Sequence, residues 1–354
     1  MTTTSIERRA FANTLRPSAQ ISRWLHGRTL IEIAALATFL ILPLIVSNYL
    51  VVFATRILIL CIFALSFDLL WGCAGIMSFG QSLFFGAAGY GVALAARDFG
   101  VTSLLAVLPI GLLVGFAVAT LVGSVLLLGR RQASVVFISM GTLTGSYAAE
   151  RLARGWYYLG GQNGIPSIPP MTIGPYDLAE GVGFYFASLL LLLIVYAACR
   201  FVIASQFGLV LAGLRDGEQR LLYFGYRVQH FKLVTFSVGG AIAGLAGGLY
   251  TFHEGFAGPG SLGVVLSTQV VLYVLFGGAG TLIGAVIGTT TIETLGFWFS
   301  NSYQEVWPII LGLILVIVIT LRPAGLISFL LDRREGTDVP VMPPAAKGGC
   351  DDPA

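Results

Sequence analysis

TSLLAVLPIGLLVGFAVATLVGSVLLL, residues 102–128, contains no charged side chain. A helix of about 20 apolar residues crosses the roughly 30 Å of hydrocarbon in a bilayer, so this run is long enough to cross with tilt. Comparable runs occupy 30–48, 50–71, 76–96, 132–150, 183–204, 232–252, 262–277, 281–299 and 305–321. None alternates apolar and polar residues over the roughly 10-residue period of a barrel strand, the other structure a bilayer permits. The expected fold is all-α: a polytopic transmembrane bundle of about 8–10 spans, with 262–277 short enough to be re-entrant.

Composition supports this reading. The chain is 56% hydrophobic and 10% charged, against roughly 25% charged residues in a soluble domain. A net charge of +3 gives no reason to invoke nucleic acid. The two lysines, Lys232 and Lys347, lie outside any G-x-x-x-x-G-K-[ST] loop, so the sequence offers no phosphate cradle of that kind. Cys61, Cys73, Cys199 and Cys350 contain no C-x-x-C, and no metal or cofactor is expected. His253-Glu254 lacks the second histidine of H-E-x-x-H, and G-x-S-x-G is absent; an intramembrane enzyme is a poor reading.

Three regions follow. Residues 1–29 form a basic arm, 30–330 a membrane domain, and 331–354 a Pro-, Gly- and Asp-rich tail too poor in apolar residues to build a core. The apolar run after the arm leads straight into another span, so it is expected to be a retained helix rather than a signal peptide. Ten crossings put both termini on one side. With that side cytoplasmic, sixteen of the twenty basic residues face inward, Arg97, Arg151 and Arg154 face outward, and Arg56 lies within a span. That asymmetry is the positive-inside bias.

Small residues recur at every fourth position: Gly111, Gly115, Ala119 and Gly123; Gly240, Gly244 and Gly248; Gly280, Gly284 and Gly288. Each set is expected on one helix face, where small side chains allow close helix packing. The stretch 71–91, WGCAGIMSFGQSLFFGAAGYG, is too rich in glycine for an ordinary span, because each glycine costs a helix about 1 kcal/mol relative to alanine. It predicts a break followed by a helix. Ser78, Gln81, Phe84, Phe85 and Tyr90 are its candidate substrate-path residues, since irregular backbone at membrane depth lines a cavity or is buried in protein. Arg56, Asp68 and Glu293 are charges within spans and hence candidates for function. Asp68, near the inner end, is placed to cap or snorkel; Glu293 joins the substrate-path candidates.

Residues 205–232, SQFGLVLAGLRDGEQRLLYFGYRVQHFK, concentrate charge between two apolar runs. On the cytoplasmic side they predict a docking surface for a soluble partner. Gly213 and Gly217 argue for two short helices joined near Gly217 rather than one.

Several stretches together resemble one family, the LivM-like inner-membrane permeases of ABC importers for branched-chain amino acids and related amides. The resemblance lies in SFDLLWGCAGIMSFGQSLFFGAAGY (66–90), LGGQNGIPSIPP (159–170), FGLVLAGLRDGEQRLLYFGYRVQHFKL (207–233), GAIAGLAGGLY (240–250), FGGAGTLIGAVIG (276–288) and LRPAGLI (321–327), in register over roughly 50–330. It implies a non-enzymatic transport subunit of the bacterial inner membrane. Its implied partners are a second, LivH-like permease subunit, two cytoplasmic ATPases and a periplasmic binding protein, with lipid around the spans. On this resemblance Phe207, Gly208, Arg215, Asp216, Glu218, Gln219 and Gly225 meet the ATPase. Leu209, Ala212 and Gly217 stand where the family's G-R-A-L-R-A-I-R-E/D-N-E pattern has two basic residues and an asparagine. The urea-transport branch of the family is close: WG at 71–72 and GGAGTLIGAV at 277–286 fit it nearly as well. An ion-coupled secondary transporter using Asp68 or Glu293 is the remaining alternative.

Overall fold

A computed structural model describes residues 19–129, 134–174, 176–178, 181–300 and the single positions 312, 313, 316, 320 and 325. The expected last span, 305–321, lies outside the described residues except at single positions, as do residues 1–18 of the arm and the whole tail. Among the described residues the chain forms ten α-helices and one two-stranded hairpin. The helices are α1 (Ala19–Ile45), α2 (Asn48–Asp68), α3 (Gln81–Phe99), α4 (Leu104–Leu127), α5 (Val135–Gly155), α6 (Val182–Ala204), α7 (Gln206–Tyr223), α8 (Val228–Glu254), α9 (Val264–Gly277) and α10 (Ile283–Ser300). The hairpin pairs β1 (Met171–Ile173) with β2 (Tyr176–Leu178), antiparallel.

The protein is an all-α polytopic bundle. Among the described residues, four helices are long and apolar enough to cross a membrane: α2 with its continuation to Cys73, α4, α6 and α8. α1 begins inside the expected arm, eleven residues before the apolar run at Leu30, because charge ends a membrane run without ending a helix. α9 has 14 residues, or about 21 Å at 1.5 Å per residue, short of the roughly 30 Å hydrocarbon core.

Burial sorts the spans. The α2 and α8 spans are 78% and 72% buried, whereas α4 and α6 are 22% and 28% buried. α2 and α8 form the centre, and the apolar outer faces of α4 and α6 are left for lipid or another subunit. α8 packs on α4, α3 and α2, while α2 also meets α6 and α10. On α4, Gly111 and Gly115 face Gly240 and Gly244 of α8: a Cβ on Gly115 would come 2.8 Å from Gly244 Cα, and one on Gly111 would come 3.0 Å from the Gly244 carbonyl oxygen. Main chain therefore touches main chain, the arrangement small residues at every fourth position permit. Gly123 instead meets the side chains of Leu233 and Phe236, and Gly248 makes only looser contacts, with Val92, Gly111 and Val107.

At one end of the bundle the 159–170 loop is fixed to the end of α8. Ile165 and Ala257 exchange backbone hydrogen bonds of 2.9 and 3.0 Å, and Ile168 N–H donates to the Gly255 carbonyl at 3.0 Å.

Candidate functional site: two helix breaks beneath the charged segment

α2 does not stop cleanly. It passes into a π-helical turn, Leu69–Cys73, followed by non-helical backbone from 75 to 80 before α3 begins at Gln81. Gly75 holds φ +70° here, a region open to glycine at little cost. The first residues of α3 are thus inside the bundle, and Ser78, Gln81 and Ser82 are all 0% exposed. Their polar atoms are met mostly from other helices. Gln81 Nε2 donates to Ser66 Oγ at 2.9 Å, and Ser82 N–H donates to Ser267 Oγ at 3.0 Å. Ser146 Oγ donates to the Leu262 carbonyl at 2.6 Å and sits 3.0 Å from Ser82 Oγ. Ser78 Oγ, Gln81 Oε1 and Tyr90 OH are buried without a hydrogen-bond partner. Phe84 meets Phe236 edge-on at 5.2 Å, and Phe85 lies between Phe63 (4.7 Å) and Tyr250 (5.4 Å). The substrate-path candidates on and before α3 are therefore all buried, Ser78, Gln81, Phe84 and Phe85 around its start and Tyr90 midway along it. Glu293 is elsewhere, on α10, where it accepts a hydrogen bond from Tyr273 of α9.

A second break separates α9 from α10. Gly278, Gly280 and Leu282 have φ values of +113°, +83° and +57°. Gly280 is therefore in this connection, not on a helix; only Gly284 and Gly288 of that glycine set lie on α10. There they pack onto the end of α9, where a Cβ on Gly288 would come 2.7 Å from Gly277 N.

Asp68 joins the two breaks. Its carboxylate, 0% exposed, accepts from the Gly280 N–H at 2.6 Å and the Leu282 N–H at 2.9 Å. It thereby serves donors just ahead of α10, which a helix start leaves without partners of its own. The breaks also touch directly, since a Cβ on Gly72 would come within 2.7 Å of Gly280 Cα and one on Gly280 within 2.8 Å of the Gly72 carbonyl oxygen.

The charged segment 205–232 presses on this junction. Arg215 of α7 donates from Nη1 to the Gly72 carbonyl at 2.7 Å. The same nitrogen would lie 3.1 Å from a Cβ on Gly280, and Arg215 Cα would lie 3.2 Å from one on Gly75. α7 is interrupted at Gly217 (φ 175°, ψ 91°), where the sequence places the join of two short helices. Gly208 is buried at the α6–α7 elbow, where a Cβ would come 2.7 Å from Ile203 Cα. Phe207 packs on Phe231 at 5.6 Å, and Gly225 turns the chain towards α8 with φ +82°.

The charged residues of the segment divide by direction. Glu218 turns inward and binds Lys232 at 2.7 Å. Arg215 reaches inward with its tip while its side chain stays 49% exposed, and Asp216 is 71% exposed. Gln219 is exposed. Sequence reasoning missed the apolar part of this surface: Leu209, Tyr223 and Phe224 are 74%, 87% and 79% exposed. The signal was present, as an aromatic pair beside a turn glycine in the most charged segment of the chain.

Comparison with known proteins agrees with this architecture. Residues 49–319 match the family described as branched-chain amino acid transport system / permease component. The chain is 26% identical over 309 residues to the high-affinity branched-chain amino acid transport system permease protein LivM of Escherichia coli, covering 80% of this chain and 71% of the relative. The Salmonella typhimurium protein of the same name matches equally well. A probable branched-chain amino acid transport permease protein LivM of Methanocaldococcus jannaschii is 24% identical over 192 residues, covering 48% of this chain and 53% of that protein. No solved structure matches. The family match covers most of the chain, including both helix breaks and the segment between α6 and α8: this protein belongs to the LivM-like permease components of branched-chain amino acid transport systems.

Proposed function

We propose that the chain is one of two permease subunits of an ATP-driven importer for branched-chain amino acids in a bacterial inner membrane. The second permease subunit is LivH-like, two ATPases bind the cytoplasmic face, and a periplasmic binding protein delivers substrate. The carrying observation is the bond from Arg215 to the Gly72 carbonyl. It connects a cytoplasmic surface segment to the point where two broken helices meet inside the bundle. A displacement of α7 by a bound ATPase reaches both breaks through one side chain. The relatives' names supply the substrate class. The absence of a G-x-x-x-x-G-K-[ST] loop supports hydrolysis on a partner, and the excess of basic residues on one side supports cytoplasmic termini.

Two groups of variants test the proposal in the complex purified from its native membrane. Removing the outward contacts, by Asp216→Ala with Tyr223→Ala and Phe224→Ala, is expected to release the ATPase during purification. Arg215→Ala is expected to keep the ATPase and most ATP hydrolysis while lowering substrate uptake about tenfold, a loss of ~1.4 kcal/mol. ATP-independent, ion-driven uptake by the lone chain in liposomes would sink the reading.

A further inference from the structure

A second charged cluster lies far from the cytoplasmic segment. α2 and α10 run antiparallel along a ladder of contacts: Asp68 to Leu282 N at 2.9 Å, Cys61 Sγ to the Val286 carbonyl at 3.7 Å, and Phe53 on Phe297 at 4.5 Å. Arg56 and Glu293 fall between the last two rungs. Arg56 is eight residues into α2, about 12 Å from its outer end at 1.5 Å per residue. It is 4.0 Å from Glu254 at the end of α8, and its guanidinium carbon stands 5.9 Å from the centre of the Tyr250 ring. Glu293 accepts from Tyr273. One cation, two carboxylates and two phenols from α2, α8, α9 and α10 thus converge in the outer half of the bundle.

The cluster is incomplete as it stands. Arg56 Nε is buried without a hydrogen-bond partner, and 4.0 Å to Glu254 is too long for a hydrogen bond. A guanidinium carries five donors in a planar fork. The Arg56 and Glu254 side chains are 43% and 34% exposed, although a charge within a span is too costly to leave facing lipid. They face either a water-filled path or another protein chain.

We propose that Arg56, Glu254 and Glu293 form a subsite for the zwitterionic head of an amino acid on its way through the membrane, with the α-carboxylate on Arg56 and the α-ammonium on the two glutamates. The guanidinium fork suits a carboxylate bidentately. The two carboxylates, with the Tyr250 ring beside them, suit an ammonium group. A neutral amide such as urea has no use for this separation of charge. The proposal rests on the amino-acid importer reading and assigns that reading its residues.

The test uses the assembled transporter with its binding protein in proteoliposomes, measuring leucine uptake and ATP hydrolysis in the same vesicles. Arg56→Gln and Glu293→Gln are expected to lower uptake about tenfold or more, while subunit assembly and binding-protein-stimulated hydrolysis stay within about twofold of wild type. Arg56→Lys keeps the cation and is expected to retain more uptake than Arg56→Gln. Uptake at the wild-type rate in both glutamine variants overturns the subsite. So does loss of the second permease subunit from the purified Arg56→Gln complex, which would make Arg56 an interface residue. Wild-type vesicles that take up urea but not leucine, or nothing at all with ATP, refute the amino-acid importer reading itself, an outcome distinct from either of these.

Discussion

Asp68→Ala is expected to destabilise the folded permease by about 3 kcal/mol or more, because a hydrogen bond to a charged group contributes roughly 1.5–3 kcal/mol and two are lost. Both bonds run to backbone N–H groups, Gly280 and Leu282. Alanine leaves the buried Leu282 N–H and the part-buried Gly280 N–H without this partner, and each unmet donor adds its own desolvation cost. The loss falls where α2 and α10 are tied together, so the start of α10 should loosen first. Asp68→Asn keeps a carbonyl oxygen for one of the two donors and should fall between alanine and wild type. The measurement is the thermal midpoint in detergent, followed by size-exclusion chromatography. Alanine and wild-type proteins melting together would show that Asp68 does not hold the junction.

The same residue shows how far the sequence could be read. Its place near the end of a span left capping and snorkelling both open; its carboxylate accepts from N–H groups in the turn just ahead of α10. The helix it serves begins more than 200 residues later, and no periodicity relates a residue to a partner that distant. The break after Trp71 was legible because glycine density opposes helix locally. The second break was harder to see. Gly280, Gly284 and Gly288 keep a four-residue spacing whether or not a helix carries all three, and only the left-handed backbone at Gly280 and Leu282 separates the first from the others. For the charged segment 205–232, composition implied exposure but not the direction of individual side chains. Glu218, grouped in sequence with the docking residues, is spent on Lys232. Arg215 does not simply point at a partner but joins the surface to Gly72. Tyr250 and Tyr273 are silent in the sequence because an aromatic residue in an apolar run reads as ordinary packing. Their importance comes from charges on other helices.

Gly244→Ala is expected to destabilise the bundle by about 1–3 kcal/mol, the usual cost of overpacking, whereas Gly145→Ala should be neutral or stabilise by up to about 1 kcal/mol. The chemical change is identical and both glycines lie inside helices, so helix propensity favours alanine at both sites. The surroundings differ. A Cβ on Gly244 would come 2.7 Å from Gly115 Cα and 3.0 Å from Gly115 N, whereas one on Gly145 meets only Leu83 Cδ2 at 3.5 Å. A side-chain methyl can turn aside. A facing main chain cannot, so α4 and α8 must separate. Separation also loosens the neighbouring contact of Gly111 with the Gly244 carbonyl, which is close enough that a Cβ would sit 3.0 Å away. Burying one more methyl gives little in return, because lipid tails are as apolar as the helix interface and association there depends on fit. Comparing thermal midpoints of the two variants removes propensity from the difference and leaves the packing. A Gly244→Ala protein as stable as Gly145→Ala would mean that α4 and α8 are held apart from main-chain contact, and the close approach of the two central glycine stripes would have to be abandoned.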